Sequence, residues 1–382
     1  MDSNATTLVL RRQLSIKNDI EKGSPVFVFD TSLLEKQTNL PTQFLWPHED
    51  LTCITQDELA DPPVDLNGFF NGDEEAISFA ALQIRAACST HGFFQVINHG
   101  IDSAVVRAAH QHMNAFFDLP MSRKFAVKRN PGSVWGYSGA HADRYSSKLP
   151  WKETFSFGYS HHNSLKLDVI NYFKSVLGKD FAEAGLVFQK YCEAMRHLSL
   201  VLLELLAISL GVDKSHYMKL FEDGNSLMRC NSYPPCKEAG LTLGTGPHCD
   251  PNSLTILHQD QVGGLEIFAN NNWKAIRPRS DTFVVNIGDT FMALCNGKYK
   301  SCLHRAVVNK EKVRRSLVYF VSPKEDKILR PPQDLLGNEE ARKYPDFKWS
   351  DLLEFTQKHY RADATTLQNF AHWLQSTKTT SN

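Results

Sequence analysis

Four times this chain sets a carboxylate two residues after a histidine: His48-Glu49-Asp50, His141-Ala142-Asp143, His248-Cys249-Asp250 and His258-Gln259-Asp260. Imidazole and carboxylate together are ligands for a divalent transition metal. With 15 histidines in 382 residues, however, most such tripeptides are surface or loop coincidences, and the tripeptide alone decides nothing. Strand geometry supplies a first filter, because residues i and i+2 point to the same side of a strand. His248 and Asp250 can then converge on one ion while Cys249 faces away. His48 falls in an irregular leader and His141 in a Gly- and Ser-rich loop, where no framework fixes the pair. His258 and Asp260 abut the Gly263-Gly264 turn and compete with His248 and Asp250 on local grounds.

A third ligand on another strand is the second filter, and Leu303-His304-Arg305-Ala306-Val307-Val308 offers His304. Two histidines and one carboxylate on one face of an octahedral ion leave positions open, the arrangement used by non-haem iron(II) oxygenases. The same three side chains around zinc, with a bound water, would suit a hydrolase. Arg314 and Ser316 bear on that choice. They share one side of a strand, so a guanidinium fork and a hydroxyl are placed to hold a carboxylate of a dicarboxylic co-substrate, and a hydrolase gives them no task. As an isolated pair, Arg314-Arg315 reads instead as solvated charge guarding an edge strand. Asn231 and Tyr233 also alternate onto one face ahead of Pro234-Pro235, and alone they read as packing residues.

The elements that must position these groups change character along the chain. Residues 1–60 mix Pro, Asn, Gln and acids without periodicity and read as a loosely structured leader. Ile77, Ala81, Ile84 and Cys88 recur at helical spacing, and Phe93 to Ile97 is a short strand closed by Asn98-His99-Gly100. A helix capped by Asp102 or Ser103 follows, with Val106, Ala109, Met113, Phe116 and Phe117 on one side until Pro120. Between Asn130 and Pro150 the composition suggests an ordered loop over a site, or a linker. A long helix covers roughly Phe181 to Leu210 and stops at Gly211; its stretch Leu198 to Leu210 is too short to span a membrane and reads as core. Beyond Cys230 the pattern becomes short strands separated by tight turns, which suggests a jelly roll or another antiparallel barrel. Ser350 to Leu374 returns to helix and could brace the barrel or cover its mouth.

Lys plus Arg and Asp plus Glu are 42 each, so no global field steers the protein to nucleic acid or to an anionic membrane. A small-molecule partner is the default. Eight cysteines without a CxxC pair make neither a disulfide framework nor a zinc knuckle, and the apolar run Leu8-Val9-Leu10 is too brief for a signal-peptide core. A reduced cytosolic setting is expected.

Taken in order, Gly92 to Gly100, Asn231-Ser232-Tyr233-Pro234-Pro235-Cys236, His248-x-Asp250, His304 and Arg314-x-Ser316 resemble the plant 2-oxoglutarate and iron(II)-dependent dioxygenases, over about Pro62 to Pro332. Within them the likeness is greatest to the gibberellin 20-oxidases, through Leu149-Pro150-Trp151-Lys152-Glu153-Thr154, a stretch associated with gibberellin binding, and Leu243 to Leu265. Ser232 stands where a second Tyr is usual, and Asn252 where Thr is common.

The resemblance implies an α+β fold, a double-stranded β-helix (jelly-roll) core flanked by helices. It divides the chain into the leader 1–60, a helical N-terminal region 61–225, the jelly-roll core 226–325 and a C-terminal helical segment 326–382 packing on that core. It places iron(II) at His248, Asp250 and His304, leaves His258 and Asp260 outside the metal shell, and sets 2-oxoglutarate against Arg314 and Ser316 with Asn231 and Tyr233 nearby. The implied reaction uses O2 and 2-oxoglutarate, with ascorbate as a stimulant, to oxidise carbon-20 of an early gibberellin through alcohol and aldehyde to its loss. Lys152 is a candidate cation for the substrate's carboxylate, with an exposed loop lysine as the alternative. A cytosolic monomer acting without nucleic acid or membrane is expected.

Overall fold

The computed structural model describes residues 28–30, 34, 39–51, 57–130, 132–142, 147–161, 168–336, 341–358 and 365–379. Much of the expected leader, Asp143 of one His-x-Asp tripeptide and the stretch 359–364 lie outside the described residues.

The helical half begins with α1 (Glu74–Thr90), where the Asp73 carboxylate accepts the N–H groups of Glu75 and Ala76, and α2 (Ser103–Phe117), capped in the same way by Asp102. Helix α3 (Val169–Leu177) starts on Asp168 and leads into α4 (Ala182–Leu210). The second half of α4, from Leu198 to Leu210, is apolar nearly all round and therefore buried; Leu198, Leu202, Leu205 and Leu206 are at most 1% exposed. Truncating one of them to Ala would cost about 2–5 kcal/mol. It ends at Gly211, whose φ of 73° closes the helix in the left-handed region.

An eight-stranded sheet packs against these helices. Its strands are β1 (Val64–Asp65), β2 (Phe93–Ile97), β3 (Gly136–Gly139), β4 (Glu153–Ser160), β5 (Asn225–Tyr233), β7 (Leu254–Gln259), β10 (Phe283–Ile287) and β12 (Arg314–Val321), in the order β1-β2-β10-β7-β12-β5-β4-β3. A four-stranded sheet is ordered β6-β11-β8-β9 from β6 (Leu243–His248), β8 (Leu265–Ala269), β9 (Asn272–Ala275) and β11 (His304–Val307). Strand alternation sorts the major sheet's residues between two cores. Leu254, Ile256, Phe283, Val285, Leu317 and Tyr319 join the helices, whereas Leu257, Val284 and Val318 join Leu265 and Ile267 of the minor sheet. The two sheets thus enclose an interior, and the chain has the expected α+β jelly-roll architecture.

The short helix α5 (Asp289–Leu294) joins the sheets. Two helices, α6 (Trp349–Lys358) and α7 (Thr366–Thr379), make up the tail, and Leu352, Phe355, Leu367, Phe370 and Leu374 lie in the main core. Among the described residues, no helix is long and apolar enough to cross a membrane.

Three details differ from expectation. Besides the expected strand Phe93 to Ile97, an unexpected one precedes Cys230: β4 alternates Phe155, Phe157 and Tyr159 toward the helices with Thr154, Ser156 and Gly158 on its other side. The stretch Asn130 to Pro150 contributes a strand of its own, β3. The described part of the leader is packed: Phe29, Leu34 and Phe44 form a core with Leu149 and Trp151, and Trp46 is buried beside Leu243 and Val307.

Candidate active site

The antiparallel pair β6 and β11 brings His248 directly opposite His304, and the two imidazole centroids lie 4.2 Å apart. Asp250, just past the end of β6, points back between them: its carboxylate oxygens are 3.5 Å from His248 Nε2 and 3.7 Å from His304 Nε2. One ligand atom from each residue falls within 4.8 Å of the other two, the one such group among the described residues. Cys249 turns away, with Sγ 3.8 Å from the Ser301 carbonyl.

The neighbours of the triad fix its chemistry. His248 Nδ1 lies 2.9 Å from Gly246 O, and His304 Nδ1 lies 3.0 Å from Cys302 O. A carbonyl can only accept, so each Nδ1 carries the proton and each Nε2 offers a lone pair to the shared centre. Burial and the neighbouring His248 push the His304 imidazole down to about 4, which keeps it neutral. Burial alone would raise the Asp250 carboxyl, but His304, His248 and the Thr255 hydroxyl outweigh it and hold the group well below the usual carboxylate range. Thr255 Oγ1 donates to Asp250 Oδ2 at 2.6 Å and receives the Asn252 amide at 3.1 Å. Two imidazoles and an ionised carboxylate, pre-aimed at one point, are a donor set that fits iron(II).

The other tripeptides are occupied elsewhere. His258 Nδ1 is 2.8 Å from His110 Nε2, with its Nε2 facing the Ser280 carbonyl, while Asp260 receives the Arg315 amide. Asp50 pairs with Lys148, and His141 with Arg129.

Arg314 stands in the middle of the major sheet, opposite Tyr233 on β5, and is only 1% exposed. Its guanidinium lies 4.9 Å from the Tyr233 ring centroid, and Nη2 donates to Gln259 Oε1 at 3.0 Å, while Nε has no protein partner. Ser316 pairs with Asn231, whose amide donates to Ser316 Oγ at 3.1 Å. A buried cation with a donor to spare does not guard an edge; it is built to meet an anion. Arg315 turns to the opposite face, over the ring of Phe117.

In front of the triad lies a cavity of about 560 Å³, lined by His248 and Asp250 together with Trp46, Trp135, Leu227, Phe320, Trp349 and Leu353. The loop before β4, the leader and the C-terminal helices all contribute walls. Two glycines of β6 permit this closeness: a Cβ on Gly246 would lie 2.1 Å from Trp46, and one on Gly244 would lie 2.5 Å from Tyr233. Lys152 is buried in the wall, not exposed, and its Nζ donates to Thr245 Oγ1 at 2.9 Å. Burial, then the charges of Arg229 and Arg129, push that ammonium well below its ordinary value.

Sequence reasoning passed over Thr255, Gln259 and Trp46. Thr255 and Gln259 carry a usable signal, since odd-numbered positions of β7 face the same interior as Leu257. Trp46 carries none, because its role arises from a distant segment.

Residues 224–323 match the 2OG-Fe(II) oxygenase superfamily, and residues 62–174 match the N-terminal region named for a non-haem dioxygenase in morphine synthesis. Gibberellin 20 oxidase 2 of Arabidopsis thaliana is 50% identical over 371 residues, covering 97% of both chains. Gibberellin 20 oxidase 2 of Oryza sativa subsp. indica is 52% identical, covering 89% of this chain and 87% of its own. Among solved structures, the complex of JOX2 with 2OG, Fe and JA superposes with a TM-score of 0.79 at 28% identity, covering 91% of this chain and 98% of JOX2. With that identity across nearly the whole length, and a His-Asp-His triad whose Asp250 and His304 are buried at the head of a jelly roll, the chain belongs to the 2OG-Fe(II) oxygenase superfamily.

Proposed function

We propose that this protein is a gibberellin 20-oxidase, which oxidises carbon-20 of early gibberellins through alcohol and aldehyde to loss of that carbon. The reading is carried by one arrangement: a triad fit for iron(II) opens onto a largely apolar cavity, in a chain about half identical to plant gibberellin 20 oxidases. Bound at His248, Asp250 and His304, iron(II) supplies oxygen activation coupled to decarboxylation of 2-oxoglutarate to succinate.

The chain's own contribution is binding, aiming and exclusion. Arg314 and Ser316 take the distal carboxylate of 2-oxoglutarate, with Gln259 holding the guanidinium in place and Tyr233 and Asn231 completing the wall. Trp46, Trp135 and Phe320 surround the substrate skeleton and keep water from the reacting carbon, which matters because the oxidising chemistry attacks whatever is nearest. Arg229 gives the cavity a cationic side for a carboxylate, with the Lys152 amine beside it as a polar partner, and Arg229 is held by Ser156 Oγ at 3.0 Å and by the Phe320 ring. We further infer a cytosolic monomer without nucleic-acid or membrane partners, consistent with the even balance of charge.

Incubation of the purified protein with iron(II), ascorbate, 2-oxoglutarate and a panel of early gibberellins tests the assignment by mass spectrometry. Oxidation at carbon-20 with matching succinate is expected. Oxidation at another carbon only would move the chain to a different activity of the same superfamily, and turnover independent of 2-oxoglutarate would favour the hydrolase reading.

A further inference from the structure

Asp250 is the ligand that no strand holds. His248 and His304 occupy paired positions of β6 and β11, whereas Asp250 to Ser253 follow the end of β6 and lie outside both sheets. Carbonyls in such a largely buried segment must still find donors. One turn supplies them. Asp289 N–H donates to Asp250 O at 2.8 Å, Thr290 N–H is shared between Pro251 O and Asn252 O at 3.3 Å each, and Gly288 N–H donates to Ser253 O at 2.9 Å. The Thr290 hydroxyl adds a second donor to Pro251 O at 2.7 Å. The fit is reciprocal, because the first N–H groups of a helix such as α5 have no acceptor within it, and the Asp250 segment provides one for each.

The same turn reaches the other ligand strand. Ile287, the last residue of β10, accepts the Cys302 N–H at 2.9 Å, and Cys302 O in turn receives the His304 Nδ1 proton at 3.0 Å. Ile287 N–H is itself tied to Gly92 O at 2.8 Å, just ahead of β2. Position 288 has to be glycine for this approach: a Cβ there would lie 2.0 Å from Asn252 O and 2.9 Å from Asp250 O. Asp289 and Thr290 are both fully enclosed, so solvent does not compete for these carbonyls.

We propose that Thr290 is a positioning residue for the iron site, and that the turn from Ile287 to Thr290 is the common mount from which the Asp250 and His304 ligands are aimed. Thr255 holds the Asp250 carboxylate, whereas Thr290 holds the chain that carries it. The leverage is geometric. The carboxylate stands on the Asp250 backbone, so a shift of that segment by more than about 0.5 Å takes it off the point at which the two Nε2 atoms aim.

Iron(II) dissociation constants, measured without oxygen by competition with a chelator, are compared for the native protein and its Thr290→Val and Thr290→Ser variants. Thr290→Val leaves Pro251 O with only the shared N–H and should weaken iron binding about tenfold, as loss of a group supporting a metal ligand does. Thr290→Ser keeps the hydroxyl and should bind iron within about twofold of the native protein. Metal-free Thr290→Val should unfold within about 4 °C of the native protein, so that the loss is felt at the metal and not throughout the fold. A folded Thr290→Val protein that binds iron within about twofold of the native one, or an equal loss in Thr290→Ser, overturns the proposal. If Thr290→Val does not fold, amide exchange of the native protein decides. The Asp289 and Thr290 amides should already be protected without iron, and rapid exchange of both in the metal-free protein overturns a preformed mount. The inference rests on iron(II) binding at the triad; a native protein that binds no iron would defeat that site and the mount with it, a result distinct from native-like binding by Thr290→Val.

Discussion

Replacing Arg314 by Met keeps the length and bulk of the side chain and removes its charge and fork. In the native protein the guanidinium is fully enclosed, already oriented by Gln259 at 3.0 Å and by the Tyr233 ring, and left with an unused Nε. Stripping the cation from a desolvated carboxylate pair costs on the order of 2–5 kcal/mol. Ser316 and Asn231 remain in place, so the middle of that range applies: about 3 kcal/mol, or roughly 150-fold in the dissociation constant for 2-oxoglutarate. Gln259 Oε1 loses its donor, which costs the fold about 1–2 kcal/mol and is checked by thermal unfolding. The assay titrates 2-oxoglutarate into the iron(II) protein without oxygen, alongside a separate iron titration. Weakened 2-oxoglutarate binding with unchanged iron affinity is expected. A folded Arg314→Met protein that binds 2-oxoglutarate within about threefold of the native one would remove Arg314 from the clamp.

Other consequences follow from individual contacts. Thr255→Val frees Asp250 Oδ2 from its 2.6 Å hydrogen bond and should lower iron affinity about tenfold, measured by competition with a chelator, while leaving 2-oxoglutarate affinity in the loaded enzyme nearly unchanged. Gly246→Ala drives a Cβ into Trp46 and should cost about 1–3 kcal/mol in denaturant unfolding; a variant as stable as the native protein would mean that Trp46 is free to move aside. His110 is pushed down to about 3 by burial and by His258, from an ordinary 6.5. Its folded form therefore resists protonation more than its unfolded form. The stability it protects is complete above about pH 6.5 and drains away as pH falls toward 3, by about 2 kcal/mol at pH 5. His110→Phe should flatten the acid limb of the unfolding profile, and an unchanged acid limb would place the sensitivity elsewhere.

Much of this organisation was legible in the residues. The cap at Asp102, the stop at Gly211 and the strand Phe93 to Ile97 are local signals, and local physics decides them. The convergence of His248, Asp250 and His304 could be suspected from two-residue spacing, but choosing between the His248 and His258 tripeptides needed the family resemblance, because each reads as a strand with a turn nearby. The structure shows the physical difference: His258 is taken up by His110, which lies far away in sequence on α2. Strand β4 was missed although Phe155, Phe157 and Tyr159 alternate cleanly; its polar residues face a functional interior, not solvent, so the pattern did not stand out. The cavity roof was legible in part, since the tail helix was expected to brace the barrel or cover its mouth and the stretch from Asn130 to Pro150 to lie over a site, or to be a linker, and both line the cavity. The part played by Trp46 was not legible, because its approach to Gly246 joins segments about two hundred residues apart and leaves no periodic trace.

The central claim is that two histidines on paired strands and an aspartate just past the end of one of them hold one iron while Arg314 holds the far end of the co-substrate. Crystals of the protein grown without oxygen with iron(II) and 2-oxoglutarate, and measured at the iron absorption edge, test it directly. A single anomalous peak bounded by His248 Nε2, Asp250 and His304 Nε2, with continuous density for 2-oxoglutarate ending on Arg314 and Ser316, is the predicted result. Iron bound at any other cluster, or a co-substrate whose distal carboxylate lies away from Arg314, would contradict it.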